Sequence, residues 1–470
     1  MAFDERPGRR GGLPLQQRTA SPGSAGGLYG NDSGNGEWRQ TAAAMAPETV
    51  ANDGILEDRF RFISERSRRV AKLRGNAVVG QSGGPTCVIN QSLVGVIEAA
   101  RRCKEIKKLL GARHGLKGIL GESFIDLSKE PAANLEKVAT TPSAALGSVR
   151  MKPKHEDCMK MFEILQKNDV RYFFYIGGND SAETANIVSE MAAEAHYDMR
   201  VVHVPKTIDN DLRVTDHCPG FGSAAKFVAA AFMGDNLDNR SIPGIKINIV
   251  MGRHAGFLTA ASILARQAKD DGPHLVYVPE AAFDDDQFVQ SVMAVNEKFG
   301  RCVVAASEGI HYADGVTVAE KMAEGAERDS HGNVQLSGSG ALGDYLAGLV
   351  KAAFGEKKAR IRADTFGYLQ RSFPGFYSEV DAREARLVGR DAVKFAISGD
   401  ADGSVAIKRV SNKPYRVTTF LTALSNVAKF TTELPKKYIN AEGNNIKNSF
   451  KTYAEPLVGE MPVAARLKGW

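Results

Sequence analysis

The chain has 470 residues, 43% of them hydrophobic and 25% charged, with a formal net charge of +6 and an isoelectric point near 8.9. Such a chain can bury one large core or two smaller ones, and its ordinary charge density predicts that most of it folds. Its basic residues are scattered, so no Lys/Arg block marks a nucleic-acid or membrane surface, and no apolar run reaches the roughly 18 residues of a membrane-spanning helix.

The five cysteines, Cys87, Cys103, Cys158, Cys218 and Cys302, are far apart and form no Cys-x-x-Cys pair. That spacing predicts reduced structural thiols in the cytosol and neither a disulfide framework nor a zinc site. The N-terminus lacks the apolar stretch of a signal peptide and carries acids unlike a transit peptide.

Residues 1–50, including SPGSAGGLYGNDSGNGEW, bury too little apolar surface to offset ordering entropy and are expected to be disordered, with Met45 a possible start. Residues 55–72 are a candidate helix leading into the folded part. Strand-like runs follow at 76–80, 171–177, 199–205, 246–252, 274–279 and 301–307. Helices are expected between and after them, at 89–110, 155–168, 181–196, 222–238, 256–268, 284–298 and 339–354. In 284–298, Phe288, Val292, Val295 and Phe299 recur at helical spacing behind the acids Asp284 to Asp286, which suit a helix N-terminus. Strands alternating with helices predict right-handed βαβ units with parallel sheets, arranged as two α/β domains.

Nearly every strand runs into a polar Gly- or Asp-bearing turn, and in open parallel sheets ligands bind beyond the carboxyl ends of strands. Gly80-Gln81-Ser82-Gly83-Gly84-Pro85 follows a strand and precedes a helix, so its backbone can approach a phosphate; a simple tight turn explains it equally well. Gly177-Gly178-Asn179-Asp180-Ser181 reads either as a helix cap or as a phosphate and Mg2+ site. Pro205-Lys206-Thr207-Ile208-Asp209-Asn210-Asp211 is more specific. It gathers two carboxylates, a lysine and a threonine directly after a strand, the inventory of a base, a metal-handling acid and a cation that phosphoryl transfer requires. Met251-Gly252-Arg253 sets a guanidinium, whose planar fork matches phosphate oxygens, at another strand end. Glu308 closes the strand 301–307, and Arg360, Arg362 and Arg371 cluster around Gly367-Tyr368-Leu369-Gln370 as a second candidate anion site.

Taken together and in this order, from about Arg74 to at least Ser372, these segments resemble the phosphofructokinase family. The resemblance implies two Rossmann-like three-layer α/β domains with mainly parallel sheets and the active site in the cleft between them. GGNDS and PKTIDND stand where ATP-using members carry GGDGS and PGTIDND, so the chain is similar to the pyrophosphate-dependent branch. The Asp180 carboxylate would occupy and repel the place of an α-phosphate, and Lys206 would add a compact charge near the transferring phosphate.

Further roles follow from the resemblance alone. Asp209 would be the general base for the 1-hydroxyl of fructose 6-phosphate, beside Thr207 and Ile208 in the sugar site. Gly83 and Arg150 would hold pyrophosphate. Met251, Gly252, Arg253, Glu308, Arg362, Tyr368, Leu369, Gln370 and Arg371 would hold the sugar phosphate. Mg2+ is the implied cofactor, with Asn179 its candidate ligand and Asp211 sharing that role. The family's partner-lent arginine is unmatched, since Gly244 stands in its place, with Lys246 or Arg240 as substitutes.

The implied organisation is an extension over 1–72, a donor domain over 73–220 completed by 372–410, a sugar-phosphate domain over 221–371, and a tail over 411–470 packing on the core. The expected activity is reversible, pyrophosphate-dependent phosphorylation of fructose 6-phosphate in glycolysis or gluconeogenesis. The implied partners are these small-molecule substrates and other copies of the chain in a homodimer or larger homo-oligomer, with no nucleic acid and no membrane. The alternatives are an ATP-dependent enzyme, a kinase of another sugar phosphate such as sedoheptulose 7-phosphate, and a non-catalytic metabolite-sensing subunit.

Overall fold

The computed structural model describes residues 73–151, 153–322, 340–399 and 402–468, so the expected N-terminal extension and the helix at 55–72 lie outside the described residues. In chain order the first strands are β1 (Gly75–Gln81), β2 (Ile106–Ala112), β3 (Phe124–Asp126), β4 (Val170–Gly177) and β5 (Arg200–Pro205). Four more, β6 (Ile245–Val250), β7 (Leu275–Tyr277), β8 (Cys302–Ser307) and β9 (Ile361–Thr365), build a second sheet, and β10 (Gly403–Asn412) and β11 (Tyr415–Thr422) return to the first. The first sheet has the order β11-β10-β5-β4-β1-β2-β3, and the second β7-β8-β6-β9. All pairings are parallel except β2 with β3 and β10 with β11. Both sheets lie within the unit Arg69–Trp470.

The helices that matter below are α1 (Ile89–Ala100), α2 (His155–Lys167), α3 (Asn179–Glu194), α4 (Phe221–Ser241), α5 (Asp285–Phe299), α6 (Ala341–Phe354), α7 (Glu379–Ser398) and α8 (Ser449–Val458). Each sheet is covered on both faces, which is why its strands read as continuous apolar runs. Alternation decides the layer. Ala77, Val79, Tyr172 and Phe174 pack under α1 and α7, with Leu93, Val388 and Ala392. Val78, Phe173 and Tyr175 face the other way, onto Leu165 of α2 and Val188 of α3. In the second sheet, Val250, Val303 and Ala305 meet α4 and Phe450 of α8, while Ile247, Ile249 and Val304 meet Phe288 of α5 and Leu346 of α6.

Two expectations need correction. The helix expected over 89–110 stops at Ala100, and Ile106–Ala112 is β2. The stretch IKKLLGA fits either period; pairing with the edge of β1 makes it a strand. The boundary expected at 410/411 falls inside β10, and the hairpin partner β11 is the outermost strand of the first sheet.

Helix α7 returns to the first sheet because α1 and α7 cross at two glycines. A Cβ on Gly95 would stand 2.3 Å from the Arg386 carbonyl oxygen, and one on Gly389 would stand 2.1 Å from that of Ser92. Backbone cannot yield there as a side-chain tip would. Gly389→Val is expected to lower stability by about 1–3 kcal/mol through overpacking. The measurement is the urea midpoint; an unchanged midpoint would mean that the crossing is loose.

Candidate active site

Because β1, β4 and β5 are adjacent and parallel, their carboxyl ends are level: Gln81 pairs with Ile176, and Gly177 with Pro205. Backbone bonds then tie the three turns together. The Ser82 N–H donates to the Ile176 carbonyl at 2.9 Å and the Lys206 N–H to the Gly177 carbonyl at 2.9 Å. Gly83 has φ +75°, and a Cβ there would sit 3.1 Å from Nζ of Lys206. On Gly84 a Cβ would sit 2.9 Å from Nη1 of Arg371 and 3.9 Å from Nη2 of Arg150. Three cations thus approach a turn that has no side chains of its own, a geometry suited to an anion. The loop from Gly147 to Arg150, between the helix ending at Thr140 and α2, folds against this turn: Ser148 Oγ donates to the Gly83 carbonyl at 2.6 Å, and the Gly83 N–H to that of Val149 at 3.2 Å. Lys206 is only 3% exposed, and its burial, followed by the charge of Arg371, lowers its pKa to about 8.

The acidic turn follows directly. Asn210, between Asp209 and Asp211, takes φ +60°, a conformation asparagine tolerates better than most residues. Its Oδ1 accepts from the Cys218 N–H at 2.9 Å, and its Nδ2 donates to the Tyr453 hydroxyl at 2.7 Å. The Asp209 N–H donates to Thr207 Oγ1 at 3.1 Å. Burial raises the pKa of Asp209, opposed by Lys206, His254, Arg371 and Arg253. Burial and then the charge of Asp209 raise that of Asp211 to about 7. Asn179 Nδ2 donates to Asp211 Oδ2 at 3.4 Å, while its Oδ1 is buried with no hydrogen-bond partner among the described residues. Asp180 is an exposed acid in the first turn of α3.

The second sheet supplies the opposing groups. The Glu308 N–H donates to the Val250 carbonyl at 2.9 Å and the Phe366 N–H to that of Ile249 at 3.1 Å, so the exits of β6, β8 and β9 form one rim. Gln370 braces that rim: its Oε1 accepts from the Met251 N–H at 3.2 Å, and its Nε2 donates to the Gly367 carbonyl at 2.8 Å. At Gly252, φ is +139° and a Cβ would meet the Ala255 carbonyl oxygen at 2.6 Å, so only glycine makes this turn without strain. Arg371 lies over the Tyr368 ring at 4.5 Å, and its Nε is buried with no hydrogen-bond partner among the described residues. Burial and then Arg150 lower the pKa of Arg371, while Tyr368, Asp209 and Glu308 oppose them, so this guanidinium senses both rims.

The structure therefore gathers Lys206, Thr207, Asp209, Gly83, Arg150, Arg253, Glu308, Gln370 and Arg371 around one space, with Asn179 and Asp180 at its edge. It treats others differently. Ile208, 7% exposed, and Met251, 8% exposed, belong to the apolar cluster with Phe221, so only their backbones remain for the site. Tyr368 and Leu369 are 46% and 61% exposed.

Arg362 pairs in the ladder with Lys246, well before the exit of β6, about 13 Å back at ~3.3 Å per residue. Its Nη1 donates to the neighbouring Ile361 carbonyl at 2.9 Å, on the strand and away from the rim. The two substitutes for the missing arginine have structural partners: Arg240 pairs with Asp270 at 3.1 Å and Asp271 at 2.8 Å, and Lys246 with Asp364. Sequence reasoning missed the bracing by Ser148, Asn210 and Tyr453; the asparagine between two aspartates was the one local signal.

The phosphofructokinase family model matches residues 76–396. A pyrophosphate–fructose 6-phosphate 1-phosphotransferase of Rhodospirillum rubrum is 54% identical over 396 residues, covering 84% of this chain and 97% of that protein. A second protein of that name, from Xanthomonas campestris pv. campestris, is 42% identical over 400 residues, covering 83% of this chain and 93% of its own length. The crystal structure of pyrophosphate-dependent phosphofructokinase from Marinobacter aquaeolei superposes with a TM-score of 0.73 at 35% identity, over 84% of this chain and 94% of that one.

Proposed function

This chain belongs to the phosphofructokinase family, and we propose that it is a pyrophosphate-dependent 6-phosphofructokinase. It transfers one phosphoryl group from pyrophosphate to the 1-hydroxyl of fructose 6-phosphate, giving fructose 1,6-bisphosphate and phosphate. The observation that carries the reading is the buried Lys206 ammonium standing over the Gly83 turn, with Asp180 at the adjacent helix start.

In this reading Asp209 accepts the proton of the 1-hydroxyl as its oxygen attacks the terminal phosphorus, and the bond to the leaving phosphate breaks in line. Lys206, Arg253 and Arg371 hold the charge that spreads over the transferring oxygens, so positioning and fixed charge supply most of the acceleration. Pyrophosphate and a phosphomonoester are comparable donors, so the reaction runs in both directions. The orphaned Asn179 Oδ1 beside the Asp211 carboxylate suits a hard cation that keeps substrate phosphates among its ligands, so Asn179 and Asp211 are the residues that would hold Mg2+. When bound, the ion neutralises phosphate charge.

The five free cysteines support the cytosol as the compartment, and no helix among the described residues is long and apolar enough to cross a membrane. The exposed Tyr368, Leu369 and Phe373 beside the site support packing of a second copy there.

The test is a coupled assay of purified protein with fructose 6-phosphate and Mg2+, comparing pyrophosphate with ATP at equal concentration; preference for ATP would overturn the donor. The same assay reads the pH dependence. As pH falls, the Asp209 carboxyl, whose pKa burial has raised above the usual carboxylate range, takes up a proton and the base is lost. As pH rises through about 8, Lys206 loses its charge. The expected kcat/KM profile is therefore a bell whose alkaline limb lies near pH 8. In kcat the alkaline limb moves upward, because bound phosphates favour the charged ammonium. A kcat/KM that is flat from pH 6 to 9 would remove the assignment of Lys206.

A further inference from the structure

Beyond the residues matched to the family, the chain after β11 runs back past both half-sites and ties them to one segment. Leu212 forms an antiparallel bridge with Thr431, and the Thr432 N–H donates to the Asp211 carbonyl at 2.7 Å. Two residues on, the Leu434 N–H donates to Glu280 Oε1 at 2.7 Å, the oxygen that also accepts from the Gly256 N–H at 2.8 Å. One short stretch thus grips the turn of Asp209 and the turn of Arg253. The same segment then forms α8, which carries Tyr453. The Tyr453 ring is packed among Phe221, Phe257 and Phe450, with the Arg409 guanidinium 4.8 Å above it. Its hydroxyl accepts from Asn210 Nδ2 at 2.7 Å and donates to the Asp216 carbonyl at 2.9 Å.

We infer that Tyr453 is a positioning residue for the phosphoryl-transfer step: through Asn210 its hydroxyl holds the left-handed turn between Asp209 and Asp211. The inference rests on the reading of Asp209 as the base. With Oδ1 on the Cys218 N–H and Nδ2 on Tyr453, the Asn210 side chain has a partner at each end, and its φ of +60° is held against relaxation. Releasing one end lets the turn drift, and a base displaced by about 1 Å can lose 10²-fold in rate without any change in what binds. The buried ring makes the hydroxyl separable from the packing, since phenylalanine fills the same space.

The experiment compares Tyr453→Phe, Asn210→Gly, the double variant and Asp209→Asn in the pyrophosphate assay, with kcat and KM read separately beside melting temperatures. Glycine keeps the positive φ at 210 while losing both side-chain bonds. Tyr453→Phe is expected to lower kcat by about tenfold to a hundredfold while leaving both KM values within about twofold. The double variant falls no further than Asn210→Gly, since the two residues act through one bond. A Tyr453→Phe enzyme with wild-type kcat, whatever its melting temperature, overturns the inference, as do losses that simply multiply. If Asp209→Asn itself keeps its activity, the assignment of the base has failed; if it is inactive while Tyr453→Phe behaves as wild type, only the role of Tyr453 has failed.

Discussion

Asp209→Asn is expected to lower kcat by about 10²–10⁴-fold in both directions, the range over which a positioned general base contributes. Asparagine has the same shape and keeps the backbone bond from the Asp209 N–H to Thr207 Oγ1, so the turn stays in place. What disappears is the ability to take a proton, together with a negative charge that Lys206, Arg253 and Arg371 now balance. KM for both substrates should change little, because these cations still face the phosphates. Melting temperature should hold or rise, because burial has raised the pKa of this carboxylate and its removal relieves an unfavourable charge next to Asp211. The measurement is formation of fructose 1,6-bisphosphate in one direction and of pyrophosphate in the other, beside a thermal melt. A variant retaining more than a tenth of the wild-type kcat would mean that another group takes the proton.

The donor preference should be divisible between two residues. Lys206→Met is expected to cost about 10²–10³-fold in kcat with pyrophosphate, the loss typical when one preorganised charge-stabilising group is removed. Its ammonium is 3% exposed and sits over the Gly83 turn, so solvent cannot replace it. Asp180→Gly acts on the other side of the choice. Asp180 lies in the first turn of α3, where in the proposed reading its charge would repel a further phosphate and its bulk would fill the space beyond a short donor. Removing it should raise kcat/KM for ATP by about tenfold or more, since discrimination here rests on a repulsive element as well as an attractive one. Pyrophosphate turnover should fall less than in Lys206→Met. The readout is kcat/KM for both donors in each variant. No gain with ATP in Asp180→Gly would sink the exclusion argument and leave donor choice to residues elsewhere.

Much of the site was legible because its parts are local. GQSGG, GGNDS, PKTIDND and MGRHAG each follow a strand within a few residues, and a parallel sheet must bring the carboxyl ends of neighbouring strands to one rim. That topological rule carries Gly83, Lys206 and Asp209 together without any knowledge of long-range contacts. The same locality marked the start of α5, where Asp284 caps by accepting from the Gln287 N–H at 2.9 Å.

What only the tertiary structure decided shares one physical cause: the deciding contact joins residues far apart, so no periodicity or spacing records it. Ile208 sits within the richest motif, yet packing against Phe221 turns its side chain into the core. Arg362 belongs to the right strand, but the register of β9 on β6 sets it back from the rim. Arg371 spans both rims because two separate turns fold toward it. The strand β2 exists because an open edge of β1 was there to pair with. Most remote of all, the tail that carries no motif places Tyr453 against Asn210, across 243 residues of chain. By itself the sequence determined the chemistry available at each strand end; the long-range packing of α7, β9 and α8 decided which of those groups share a space, because only burial and register can choose between side chains that local rules leave equivalent.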